Sequence, residues 1–338
     1  MKKLMSLLLI GTLCLTSITA KAPKKAKKVK GPSIAVFVPG IMADSPTYDK
    51  LAKGVQSGVE EFNEGKTEAE KAKVYILEAG TNQAEWQQKL TSLAAEMKYD
   101  VIISSNPSLP DLALPVLEQF PDQKFILLDA TCEGNPNIAT VCYNQYQQAY
   151  VTGYIAGLMS KNHKVALISA QDYPVMNNII YPYYAKGAAD AVPGTTSEYR
   201  VVGNWYDATK GAEIADAVYK AGVDVILPIC GGASQGVLAS AVNNKIHVAW
   251  FDANGFTKNP GTVISSTVLK QEVMSKESTI AFLEGKTEWG TAKMVGMEEG
   301  YVEFVQDSPA YIETVPSDIR ARMSKLIEDI LAGKVKIN

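Results

Sequence analysis

The sequence predicts an α/β protein of two lobes, each a parallel sheet flanked by helices, and three observations carry that prediction. Short apolar runs alternate with helical patterns along the whole chain, the signature of βαβ units. Once the leader described below is set aside, roughly 300 of the 338 residues remain, more than a single hydrophobic core usually supports. Five of the apolar runs stop at small or polar residues. Ile34–Val38 leads into Pro39-Gly40 and Asp44, Val101–Ile103 into Ser104-Ser105-Asn106, and Phe125–Leu128 into Asp129. Val225–Leu227 leads to Gly231-Gly232, and Val248–Phe251 stops at Asp252. In open α/β sheets ligands bind beyond the carboxyl ends of the strands, so these ends mark a pocket assembled from both halves.

The first half reads strand 34–38, helix 47–64, strand 73–78, helix 84–97, strand 100–104, helix 109–119, and strands 124–128 and 138–143. A second half restarts the rhythm with helix 146–160, strand 164–169, helix 177–191 and strand 198–203. Helix 209–221, strand 223–229, helix 234–243 and strand 246–251 follow. Asp207-Ala-Thr caps the Ala-rich helix at 209, and Ala221-Gly222 closes it. Gly153 and Gly157 predict close packing of the 146–160 helix against a neighbour.

Met1-Lys2-Lys3 followed by the apolar Leu4–Leu15 reads as an export signal, too short for a transmembrane span. Cleavage falls after Ala20 or Ala22. Cys14 raises a lipid anchor to the membrane, although Leu13 is a poor residue for a lipoprotein signal. Lys21–Lys30 is basic and apolar-poor, a tether rather than a folded segment. Residues 1–22 are therefore expected as signal and 23–31 as tether. A first lobe is expected at 32–144 plus about 253–285, and a second at 145–252 plus about 286–335.

The net charge is −3 and the folded part has no basic field, which excludes nucleic acid as a partner. Cys132 and Cys142 flank the turn-rich 133–137 segment and suit either a disulfide or two free thiols; Cys230 reads as core. Catalysis needs a nucleophile with its base, an acid–base pair or a metal. The only histidines, His163 and His247, lie far apart, and no dinucleotide fingerprint or Cys/His metal spacing is present. The chain is not expected to be an enzyme. A remote alternative is an exported nucleoside hydrolase with Ca²⁺ on Asp44, Asp129 and Asp252.

Each candidate site residue has a chemical reason. Asp44, beside a helix start, suits a ligand N–H or hydroxyl and equally a helix cap. Asp129 and Asp252 end apolar strands, where a carboxylate must find donors, and Asn106 is the polar end of another. Tyr48, Tyr184 and Trp205 are candidate stacking rings, with Tyr173, Tyr181 and Tyr183 nearby in sequence. Gly232 stands in a strand-to-helix glycine turn open to a ligand or simply tight. Lys270 is a cation for a ligand oxygen or for Asp252.

In order along the chain, Asp44-Ser-Pro-Thr-Tyr48 before Gly54, Phe125-Ile-Leu-Leu-Asp129, Tyr146–Lys161, Tyr184-Ala-Lys-Gly187, Trp205-Tyr-Asp207, Gly231–Gly236, Phe251-Asp252 and Ser266-Thr-Val-Leu-Lys270 resemble the basic membrane protein family of substrate-binding proteins, which includes the purine nucleoside receptor A group. The resemblance implies a type I-like periplasmic-binding-protein fold with several hinge crossings. It implies a monomer outside the cytoplasm that closes on a small molecule and passes it to the permease subunits of an ABC importer. Pro46-Thr47-Tyr48 replaces the family's Ser-Phe-Asn, and Tyr184 and Trp205 stand where phenylalanines are usual. Those departures point away from the standard purine nucleoside and toward riboflavin, whose larger ring and polyol chain suit the aromatics and aspartates; a purine nucleoside is the alternative.

Overall fold

A computed structural model describes residues 31–337; the signal, Cys14 and nearly all of the tether lie outside the described residues. Eight elements open the chain: β1 (Ser33–Val38), α1 (Pro46–Asn63), β2 (Lys73–Glu78), α2 (Trp86–Ala95), β3 (Val101–Ser105), α3 (Leu109–Gln119), β4 (Phe125–Leu128) and β5 (Ile138–Tyr143). The chain then crosses into α4 (Gln145–Met159), β6 (Lys164–Ser169), α5 (Tyr181–Ala191), β7 (Thr196–Val201) and α6 (Ala208–Lys220). These are followed by β8 (Val225–Ile229), α7 (Ser234–Asn244), β9 (His247–Trp250) and β10 (Val263–Leu269). It crosses back as α8 (Gln271–Leu283) and β11 (Ala292–Val295), then once more as β12 (Val302–Phe304), α9 (Pro309–Thr314) and α10 (Ser317–Leu331).

Two six-stranded sheets result, ordered β11-β5-β4-β3-β1-β2 and β12-β10-β9-β8-β6-β7. Every pairing is parallel except the antiparallel β10–β12 edge. The first five strands of each lobe share one winding order, second-first-third-fourth-fifth, with its switch point between first and third strands. The central strands are buried on both faces, as helix-covered parallel sheets require.

The expected lobe boundaries are corrected after residue 252. β10, placed by the sequence in the first lobe, pairs with β9 in the second sheet. β11, placed in the second, pairs with β5 in the first. All seven residues of β10 are buried, but Ser265, Ser266 and Thr267 interrupt its apolar run and conceal it as a strand. The helix expected at 177–191 also differs: a π-helical turn at Met176–Ile180 precedes α5. Pro182 supplies no N–H for a continuous α ladder there.

The close helix contact foreseen from Gly153 is present. A Cβ at Gly153 would lie 2.0 Å from the Tyr184 carbonyl oxygen, and one at Gly187 would lie 2.1 Å from that of Tyr150. Only glycines let α4 and α5 come this near.

Candidate functional site

The strand ends of the two lobes meet where the chain crosses between them. Asp129 follows β4 and Asp252 lies two residues beyond β9. Both take left-handed backbone, with φ of 53° and 65°. Side chains other than glycine adopt this conformation at a cost, with Asp among the tolerant ones, and such residues cluster at functional sites. The first turn of α4 serves both: Gln145 Nε2 donates to Asp129 Oδ1 at 3.1 Å, and Gln148 Nε2 to Asp252 Oδ1 at 3.0 Å.

Both carboxylates keep some contact with solvent, yet they lie deep enough for loss of hydration to govern them. Burial first, and then the charge of Asp252, pushes Asp129 up to about 8. Burial raises Asp252 to about 6, with the Gln148 hydrogen bond opposing. Their shared attachment to one turn of α4 places the two in one site.

Around them stand aromatic and amide groups. Tyr48, in the first turn of α1, accepts a hydrogen bond at its phenol oxygen from Asn106 Nδ2 at 3.1 Å. Asn106 Oδ1 in turn accepts from the backbone N–H and hydroxyl of Ser108, at 2.9 and 2.7 Å. Burial raises the Tyr48 phenol to about 12. Tyr173, half-buried in the loop after β6, is raised by burial and then by both carboxylates. Tyr143 donates to Gln271 Oε1 at 2.9 Å where the chain makes its second crossing.

The second lobe presents the Asn204–Asp207 loop. Asn204 Oδ1 accepts from the N–H groups of Tyr206 and Asp207 at 2.9 and 2.8 Å, and Asp207 caps α6 through the Lys210 N–H at 2.8 Å. Trp205 is half-buried with its ring against Gly231; a Cβ there would meet the indole at 3.2 Å. Gly232 is exposed, its missing Cβ 3.4 Å from the Trp205 carbonyl oxygen. Tyr206 projects from the same loop, 62% exposed.

Asn106, Tyr48, Asp129 and Asp252 thus come together, with Trp205 and Gly232 on the facing loop. Two expectations are corrected. Tyr184 is 0% exposed in the second lobe's core, because α5 turns its ring inward against α4, so it cannot stack on a ligand. Lys270 pairs with Glu303 on the adjacent β12 rather than with Asp252.

The tyrosines beside Tyr184 are also structural. Tyr181 donates to the Ser197 carbonyl at 3.0 Å, with its ring 5.0 Å from that of Tyr199, and Tyr183 meets Tyr146 edge-on at 4.8 Å. The Asp44 side chain lies outside the described residues; its backbone ends the 3₁₀ turn Met42–Asp44. Among the described residues no group of three or more His, Cys, Asp or Glu is placed to hold a metal ion. Cys132 and Cys142 are free thiols, and Cys230 is buried as expected.

Sequence reasoning missed Gln145 and Gln148. Their signal was present: Asn144-Gln-Tyr-Gln-Gln148 opens a helix that is otherwise apolar and almost wholly buried, and buried amides must be bonded to something. Tyr206 was passed over for its neighbour Trp205.

Two doubly wound lobes joined by three crossings, with polar strand ends facing one cleft, define the type I-like periplasmic-binding fold. The solute-binding protein of an ABC transporter system from Aeropyrum pernix K1 superposes with a TM-score of 0.72 at 20% identity, covering 90% of this chain and 92% of that one. Residues 32–336 match the family model described as ABC transporter substrate-binding protein PnrA-like, and the chain belongs to that family. It is 24% identical to the ABC transporter nucleoside-binding protein BmpA of Lactococcus lactis, over 72% of each chain. Basic membrane protein A of Borreliella burgdorferi is 23% identical over 97% of this chain and 94% of its own length.

Proposed function

We propose that this substrate-binding protein works outside the cytoplasm, captures a neutral planar heterocycle carrying a hydroxylated chain, and delivers it to the permease of an ABC importer. The pairing of Asp129 and Asp252 through one turn of α4, with Tyr48 on one lobe and Trp205 and Tyr206 on the other, carries this reading. Carboxylates accept from hydroxyl and ring N–H donors, and flat rings bind well between aromatic faces. A ligand phosphate would meet two acids with Lys270 already engaged by Glu303, so phosphorylated forms are disfavoured.

Riboflavin is the ligand the aromatic set fits best, because Tyr48, Tyr173, Trp205 and Tyr206 offer more ring surface than a purine requires. A purine nucleoside is the second reading, favoured by the nucleoside-binding relative from Lactococcus lactis. Capture proceeds by lobe closure about the three crossings, driven by ligand contacts that exist only when both lobes engage.

The test is to purify the protein from Gly31 onward, record its visible absorption, and take the mass spectrum of what it releases on denaturation. Quenching of riboflavin fluorescence and calorimetry with inosine and guanosine follow. A released flavin, or saturable quenching, supports the first ligand. Nucleoside heat without quenching selects the second, and binding of neither overturns the ligand reading.

A further inference from the structure

The two cleft carboxylates come from opposite lobes, yet one turn of one helix holds both. Gln145 and Gln148 are three apart on α4, so they share a face with Cβ atoms about 5–6 Å apart. That spacing governs where Asp129 and Asp252 place their acceptor oxygens. Gln148 is 0% exposed and Gln145 is also buried.

Gln147, one of the two residues between them, keeps the turn from shifting. Gln147 accepts from the Met297 N–H at 2.9 Å and donates to the Glu298 carboxylate at 2.7 Å, on the third crossing. A Cβ at Gly296 would fall 2.2 Å from Gln147 Oε1, so the glycine is what admits this side chain. One turn of α4 is therefore fixed to the first lobe, the second lobe and a crossing segment at once.

A second observation concerns Gln148 itself. Its Oε1 is buried without a hydrogen-bond partner among the described residues, beside an aspartate to which its amide donates. A primary amide presents N–H to a carboxylate or, turned over, C=O to a carboxylic acid. Glutamine is thus a side chain of this shape that can bond Asp252 with or without its proton.

We propose that Gln145 and Gln148 are positioning residues that set ligand specificity, holding Asp129 and Asp252 as one paired acceptor for a neutral ligand with two adjacent hydroxyl donors. Gln148 keeps Asp252 hydrogen-bonded in both protonation states, so ligand affinity follows the ionisation of the pair. The titratable groups facing the carboxylates are Tyr48, Tyr143, Tyr173 and Cys142. Burial raises all four, which leaves the two acids as the groups that titrate near neutrality. The inference rests on the cleft being the ligand site.

The experiment compares each hydroxylated ligand with its ring lacking the hydroxylated chain, riboflavin with lumiflavin and inosine with hypoxanthine. Binding is measured across pH 5–9 for wild type, Gln145→Ala, Gln148→Ala and the isosteric Gln148→Glu. Each alanine variant is expected to lose roughly tenfold or more for the hydroxylated ligand, with the ring fragment unchanged within about twofold. Gln148→Glu approaches wild type only at the acid end, where one carboxyl of the Glu–Asp252 pair is protonated. Equal losses for ring and hydroxylated ligand, or no loss, overturn the proposal.

If wild type binds neither ligand pair, the ligand reading fails and the positioning role is tested alone by carboxyl ¹³C NMR titration of the ligand-free protein. Gln148→Ala should then move the Asp252 midpoint more than that of Asp129; unmoved midpoints overturn the inference. Thermal melts identify a variant that fails to fold, and Gln148→Glu then carries the test.

Discussion

The two lobes share a winding order and each ends one strand segment in a left-handed aspartate, but they prepare their sides of the cleft differently. The first lobe locks its aromatic residue: Tyr48, half-buried, is tied to Asn106, itself held by Ser108. The second carries its rings on a short loop between an Asx turn and a helix cap, with Tyr206 largely exposed. The aspartates differ in the same sense, Asp129 being pushed up to about 8 and Asp252 to about 6. Equal topology therefore does not make equal halves. One lobe supplies a hydrogen-bonded surface and the other an exposed loop.

The largest effect expected is on the second lobe's integrity. Gly153→Val should destabilise the protein by about 3 kcal/mol, because its side chain would displace the backbone of α5. Chemical denaturation measures the loss, and hydrogen exchange should locate it first in α4 and α5. A midpoint equal to wild type would mean the helices separate easily.

Next comes the acid asymmetry. A carboxyl raised in the folded state binds its proton more tightly there than in the unfolded chain. Stability therefore falls as pH rises from the unfolded value near 4 toward the folded value. For Asp129 that window reaches about 8, and for Asp252 about 6. Asp129→Asn should thus melt higher than wild type at pH 8 and about equally at pH 4, while Asp252→Asn gains its advantage by pH 6. Coincident curves for the two variants would erase the asymmetry.

Smaller again is the ring contribution. Trp205→Ala should weaken ligand binding by more than roughly 1 kcal/mol, chiefly in the dissociation rate if this lobe completes the site. Unchanged kinetics would remove Trp205 from the cleft. The smallest effect belongs to the Lys270–Glu303 pair, which is partly exposed. Glu303→Gln should cost no more than about 1 kcal/mol of stability and leave affinity as it was; a large affinity change would return Lys270 to the site.

The β/α rhythm and the polar strand ends were legible because apolar runs and their stops are local. Asp129, Asp252 and Asn106 could be picked out on that ground, and Tyr48 as a candidate ring; α4 holds both aspartates and Asn106 bonds Tyr48. Tyr184 could not be judged, since a tyrosine's burial depends on which way α5 faces α4. Lys270 misled for a related reason: its partner Glu303 arrives on a strand that pairs only after two further crossings. β10 was hidden by its own serines and threonine, of which Thr267 pairs with Thr152 and Ser266 accepts from the Gly255 N–H. The glutamine turn was visible as polar residues in an apolar helix, but not what they hold.

The late exchange of strands between sheets also bears on how the molecule assembles. Neither lobe is one continuous stretch of chain: the first waits for residues 292–295 and the second for 263–269 and 302–304. Contacts of long sequence separation slow folding, because loop closure precedes the gain from pairing. Both halves therefore reach completion only when the C-terminal portion is in hand. A chain ending near residue 260 would leave two unfinished sheet edges rather than one intact lobe, and the pair should fold and unfold as a single cooperative body.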